Sequence, residues 1–231
     1  MPVLIAAAAP DLDIVHALAA LLRADGGEVR CYLEEDDHEL RQIGCKIAVG
    51  DLDDAFRLNA ALTNVHTFVP IFADIFTIIG NPPLFRGFAN AAADALAASQ
   101  IEQVILPISG LLPEGNEVTS VIEDAVKMLS EAGAPACIIR TGLIKGPGRP
   151  SAALRYRAGA NVVPIDLLAS VLKEADDRES TQGSWELGGA PEPDPPPEAQ
   201  HSDSPNLQAW LDVLMDLPPL GNSAQQQFLG S

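Results

Sequence analysis

The sequence predicts an α/β fold, a doubly wound parallel sheet with helices on both faces. Two observations predict it. Short apolar runs alternate along the chain with segments whose apolar residues recur at helical spacing. Strands that alternate with helices call for parallel pairing, because each right-handed crossover needs a helix. At 231 residues with 47% hydrophobic content, the chain is long and apolar enough for one such domain with extensions.

The elements follow in order. Val3 to Ala6 reads as a buried strand, and Leu12 to Ala24 as a helix with Ile14, Leu18, Leu21 and Leu22 on its apolar face. Gly26-Gly27 stops that helix. Val29 to Leu33 is the second strand, followed by a short acidic helix in EEDDHELRQIG. Cys45 to Val49 is the third strand, DDAFRLNAALTN the third helix, and Thr67 to Pro70 begins a fourth strand. LFRGFANAAADALAASQ is helical, VILPIS a strand, EVTSVIEDAVKMLSEAG a helix ending at Gly133, and ACIIR a sixth strand. TGLIKGPGRPSA is a Gly/Pro-rich loop. NVVPI, DLLASVLKEA and SWEL read as strand, helix and strand.

From Gly189 the composition changes. Residues 190–205 are rich in Pro, Glu, Asp and Ser and read as a disordered linker. Within 206–231, NLQAWLDVLMDL is an apolar-faced helix. It either packs on its own domain or docks a protein partner through Trp210, Leu211 and Leu214. The expected layout is therefore a domain over 1–189, a linker and a terminal helix.

Charge narrows the partners. The chain carries 32 acidic against 14 basic residues, a formal net charge of −18. Such a surface disfavours nucleic acid and anionic membrane. The apolar stretch from Phe68 to Phe85 is interrupted by Pro70, Asp74, Gly80 and Pro82-Pro83 and is a poor membrane span. The first residues lead into an apolar run with no basic segment ahead of it, so a cytoplasmic location is expected. Cys31, Cys45 and Cys137 form an odd set without close pairing, which fits reduced, buried thiols. His16, His38, His66 and His201 share no ligand spacing with them, and no metal site is expected.

Three stretches carry a family resemblance: VGDLDDAFRLNAALTNVHTFV, MLSEAGAPACIIRTGLIKGPGRP, and NVVPIDLLASVL followed by WELGG. In their order and spacing they resemble the atypical short-chain dehydrogenase/reductase group, the NmrA-like and NAD(P)H-binding Rossmann proteins. The resemblance runs from about Val3 to Gly189. It implies a Rossmann-like sheet with a dinucleotide at the carboxyl ends of the strands. It also implies a Gly-x-x-Gly-x-x-Gly loop after the first strand. Those three positions here are Ala7, Pro10 and Asp13.

Each change works against phosphate. Ala7 replaces a residue that turns freely. Pro10 adds a ring and removes an N–H donor where backbone must approach pyrophosphate. Asp13 adds bulk and charge, and Asp11 or Asp13 can take the helix N-terminus as its cap. A carboxylate about 5 Å from a phosphate charge opposes it by roughly 3 kcal/mol at an effective dielectric near 20. That is on the order of a hundredfold in affinity.

The resemblance puts Glu34 in the slot that reads the cofactor's ribose. There a carboxylate accepts hydroxyls and repels a 2′-phosphate, so NADP is disfavoured more than NAD. Asp51 and Leu52 match the family's adenine-side turn, and Ser109 a site-lining serine. The reductases' Tyr-x-x-x-Lys pair, which exchanges a proton near neutral pH, falls on Val118 and Ile122, both aliphatic. No catalytic residue is assigned, and the cofactor expectation is none, or NAD weakly. Phe68, Phe72 and Phe76 either fill the crevice or belong to the core.

One basic constellation stands out. Arg140, Lys145, Arg149, Arg155 and Arg157 occupy an interval without an acidic residue. They form either an anion- or acidic-partner patch or a counterweight to the acidic domain. The expected function is a non-catalytic binding or regulatory scaffold. Two alternatives stay open: an NAD(P)-dependent oxidoreductase or nucleotide-sugar-epimerase-like enzyme, and an interaction module using the terminal helix.

Overall fold

The computed structural model describes residues 1–110, 117–145, 162–178 and 183–187. The strands β1 (Val3–Ala6), β2 (Val29–Leu33), β3 (Lys46–Val49), β4 (Thr67–Pro70), β5 (Gln103–Ser109), β6 (Ala136–Thr141) and β9 (Gly183–Leu187) form one sheet in the order β3-β2-β1-β4-β5-β6-β9. Every neighbouring pair is parallel. The predicted doubly wound Rossmann-like architecture is therefore the observed one.

Two apolar layers cover the sheet. Side chains alternate across β1, so Leu4 and Ala6 point to one layer and Val3, Ile5 and Ala7 to the other. On the first face lie α3 (Ala55–Ala61), α5 (Pro82–Ala97) and α6 (Glu117–Glu131); on the second lie α1 (Leu12–Ala24) and α7 (Ile165–Asp177). The chain lays down β1, β2 and β3 outward, then returns to place β4 on the other side of β1. The point of reversal, between the carboxyl ends of β1 and β4, is where such sheets leave a crevice for ligands.

Helix starts are set by short polar side chains. Asp37 Oδ1 accepts the Leu40 amide at 2.9 Å to open α2 (His38–Gln42), and Asp54 Oδ1 accepts the Arg57 amide at 3.0 Å to open α3. Asp74 opens α4 (Ile75–Gly80) through the Phe76 amide at 3.1 Å. Asn81 opens α5 through the Leu84 amide, with Pro82 in the first turn.

The structure corrects several sequence expectations. The apolar run after β4 holds a separate helix, α4, between two capping residues, and α5 begins at Pro82 rather than Leu84. The acidic helix is confined to His38–Gln42, and β3 starts at Lys46 rather than Cys45. The Gly/Pro-rich loop opens with a strand, β7 (Leu143–Lys145), that pairs in parallel with β8 (Val162–Pro164). NVVPI thus builds a small second sheet and not the main one. Among the described residues no helix is long and apolar enough to cross a membrane. The linker and the terminal helix with Trp210, Leu211 and Leu214 lie outside the described residues.

Candidate functional site

At the carboxyl end of β1 the backbone makes a short 3-10 turn over Ala9–Asp11 and runs straight into α1. Ala7 and Ala8 are buried, and Pro10 is exposed in that turn. The Asp11 amide is already bonded to the Ala8 carbonyl at 2.9 Å. Asp11 stands at the N-cap position of α1 but makes no capping bond, and Asp13 accepts the amide of its neighbour Ile14 at 2.8 Å. The expected cap by either aspartate is therefore corrected.

The Asp11 side chain turns inward instead. It is fully buried, with Oδ1 3.3 Å from the Thr77 hydroxyl on α4. The same hydroxyl lies 3.5 Å from Oδ2 of Asp74, also buried. One hydroxyl has one proton, so Thr77 donates to one carboxyl group at a time. Two carboxyl groups from two different turns thus converge on the reversal point of the sheet. Thr141 fixes the second turn from β6, its hydroxyl donating to the Ala73 carbonyl at 2.9 Å.

The sequence marks Asp74 only as a break in the apolar stretch, and Thr77 not at all. Asp74 precedes an apolar stretch, which marks a helix cap; its meeting with Asp11 joins residues more than sixty apart in sequence. No local pattern reports such a meeting.

The positions expected to face the cofactor's ribose and adenine lie at the ends of β2 and β3. Glu34 is half-buried, Asp51 exposed and Leu52 buried. Tyr32 is buried beside them and donates its hydroxyl to the Asp51 carbonyl at 2.8 Å. Burial, reinforced by the charge of Asp54, pushes its phenol up to about 12. A Cβ on Gly50 would stand 2.5 Å from that hydroxyl, so Gly50 is what lets Tyr32 reach the turn.

Ser109 ends β5, buried, with its amide on the Phe72 carbonyl at 2.9 Å. Phe68, Phe72 and Phe76 prove to be core. All three are buried, and Phe72 stacks on Phe88 at 4.9 Å and meets Phe85 edge-on at 5.6 Å. Val118 and Ile122 on α6 are buried in the same layer.

Arg140 is half-buried on β6 in register with Glu186 on β9, and Lys145 ends β7. Arg149, Arg155 and Arg157 lie outside the described residues, so the basic patch is not assembled among those described. No group of three or more His, Cys, Asp or Glu that could hold a metal occurs among the described residues. A groove of about 600 Å³ beside Pro2, His66 and Glu102 lies at the amino ends of the strands, the opposite end from the crevice. Cys31, Cys45 and Cys137 are free and buried, as expected, and Cys31 and Cys45 lie close enough to shift each other's ionisation.

No family model matches the chain, and no curated protein does. Solved structures do. A UDP-glucose 4-epimerase from Thermus thermophilus, in complex with NAD, is 15% identical with a TM-score of 0.63, covering 81% of this chain and 78% of that one. Vestitone reductase from alfalfa is 11% identical with a TM-score of 0.62, covering 81% and 76%. Pen from Bacillus thuringiensis is 14% identical with a TM-score of 0.65, covering 81% and 68%. At these identities the likeness is one of fold: the chain has the Rossmann-like fold of epimerase- and reductase-type proteins.

Proposed function

We propose that this chain is an atypical, NmrA-like relative of the short-chain dehydrogenases that acts in the cytoplasm as a non-catalytic binding or regulatory scaffold. In this reading it has lost ordinary dinucleotide binding. The observation that carries the proposal is the buried Asp11 side chain, which meets Thr77 and, through it, Asp74 at the reversal point of the sheet. A pyrophosphate placed there would face carboxylates in a setting that screens charge poorly. It would also lack the amide that Pro10 cannot supply and the Asp11 amide that Ala8 already occupies. Val118 and Ile122 support the loss of catalysis, since neither can exchange a proton.

Calorimetric titration with NAD⁺, NADH, NADP⁺ and NADPH tests the reading. It expects no heat of binding at micromolar ligand, and micromolar affinity for any of the four would sink it.

A second reading is a working NAD(P)-dependent oxidoreductase or nucleotide-sugar-epimerase-like enzyme. Asp51, Leu52 and Ser109 at family positions favour it, as does the fold shared with an epimerase solved with NAD. Glu34 would then select NAD over NADP. Hydride transfer from reduced cofactor to a carbonyl or quinone substrate would establish it. An interaction module working through Trp210, Leu211 and Leu214 predicts that deleting 206–231 abolishes partner capture and leaves the fold intact.

A further inference from the structure

The pairing of Cys31 and Cys45 plays no part in the crevice, and it has a chemistry of its own. β2 and β3 are in register with Arg30 opposite Lys46 and Cys31 opposite Ile47. Cys45, one residue before β3, therefore falls beside Val29, on the same sheet face as Cys31. Both pack in the layer under α1 with Leu18, Leu22 and Leu40. Neither is in a disulfide. Cys31 is fully enclosed, whereas Cys45 keeps 6% exposure just after an exposed turn at Ile43 and Gly44.

Arg23 is pinned against that turn. Its Nε donates to the Ile43 carbonyl at 3.1 Å and its Nη1 to the Gly27 carbonyl at 2.6 Å. Its Nη2 stands 2.7 Å from where a Cβ on Gly44 would lie, and Gly44 holds a φ of +90° that favours glycine. The thiols are unequal as a result. The neighbouring Cys31 thiol, and next to it the charge of Arg23, hold the Cys45 thiol below its ordinary range against burial and Asp37. The neighbouring Cys45 thiol and burial push Cys31 up, with Asp37 adding to the effect. Cys45 is shifted toward the thiolate and its neighbour toward the protonated thiol.

We propose that Cys45 and Cys31 are a hydroperoxide-sensitive modification site, Cys45 the attacking thiol and Cys31 the resolving one, closing to a disulfide that staples β2 to β3. The Cys45 thiolate attacks one oxygen of a hydroperoxide and the O–O bond breaks. The other oxygen leaves with a proton as water or alcohol, and Cys45 becomes a sulfenic acid. Cys31 sulfur then attacks Cys45 sulfur, the S–O bond breaks, and hydroxide leaves as water with the Cys31 proton. Two thiols and one hydroperoxide give one disulfide, one water and one water or alcohol. The two cysteines sit diagonally across the strand pair, so closure draws the exposed turn at Gly44 toward β2. β3 is an edge strand whose end leads into Asp51 and Leu52, so the staple restrains that side of the crevice.

The test treats the full chain with near-stoichiometric hydrogen peroxide, blocks remaining thiols and maps tryptic peptides. Trypsin separates the cysteines into residues 31–41 and 42–46. A reductant-reversible link between those two peptides is expected, with Cys137 on β6 still reduced. In Cys31→Ser, which keeps an O–H beside Cys45, dimedone should trap several-fold more sulfenic acid at Cys45 than in the unsubstituted chain. The proposal is overturned if both thiols remain alkylatable after peroxide, or if Cys45 oxidises no faster than Cys137. The peptide map needs no variant, so it decides the matter even where Cys31→Ser fails to fold.

Discussion

A methyl group on Gly50 would come within 2.5 Å of the Tyr32 hydroxyl, itself bonded to the Asp51 carbonyl. Gly50→Ala should therefore cost about 1–3 kcal/mol by overpacking, and in a Tyr32→Phe background it should cost less. Urea unfolding of the two single variants and the double variant checks this; additive costs would show that the hydroxyl is not what the methyl meets. Thr77 gives a second case. Thr77→Val keeps the shape and removes the donor shared by Asp11 and Asp74, and about 1–2 kcal/mol should be lost. An unchanged urea midpoint would mean the hydroxyl carries no stability. At this scale the sequence was half legible. Which side chains stand at Ala7, Pro10, Asp13, Val118 and Ile122 is read at single positions, and what they mean for a bound dinucleotide rests on the resemblance. The convergence of Asp11, Thr77 and Asp74 depends on two turns meeting in space.

Capping aspartates organise the helices, and one of them also links two elements. Asp37 caps α2 and accepts or shares a proton with His16 Nε2 of α1 at 2.8 Å. Burial disfavours its charge, but the Leu40 amide and the His16 ring outweigh burial and hold the carboxyl below its usual range. A carboxyl depressed in the folded state stabilises the fold fully above its unfolded value near 3.8, and that contribution is lost as pH falls through the folded value. Asp37→Asn should therefore flatten stability against pH below about pH 4. Denaturant midpoints across that range measure it, and an unaltered acid limb would contradict the assignment. Long elements such as α1, α5 and β5 were legible because periodicity accumulates over many residues. The six-residue α4 and the three-residue β7 were not, since so few positions define no period, whereas β8 was read as a strand from NVVPI.

Across the whole molecule, alternating strands and helices made the architecture readable, and the order of the strands places Asp11 and Asp74 at the reversal point. The net charge of −18 acts at this scale too. Self-repulsion should ease as salt shortens the screening length toward ~10 Å at 0.1 M. The melting temperature should therefore rise from low to moderate sodium chloride, and a fall would mean that attractive pairs dominate. The central claim concerns the crevice, and NAD⁺ titration of two proteins by calorimetry tests it most directly. One is the unsubstituted chain, and the other carries Ala7→Gly, Pro10→Gly, Asp11→Asn and Asp13→Gly. The account predicts no binding to the first and measurable binding to the second; micromolar binding to the unsubstituted chain would contradict it.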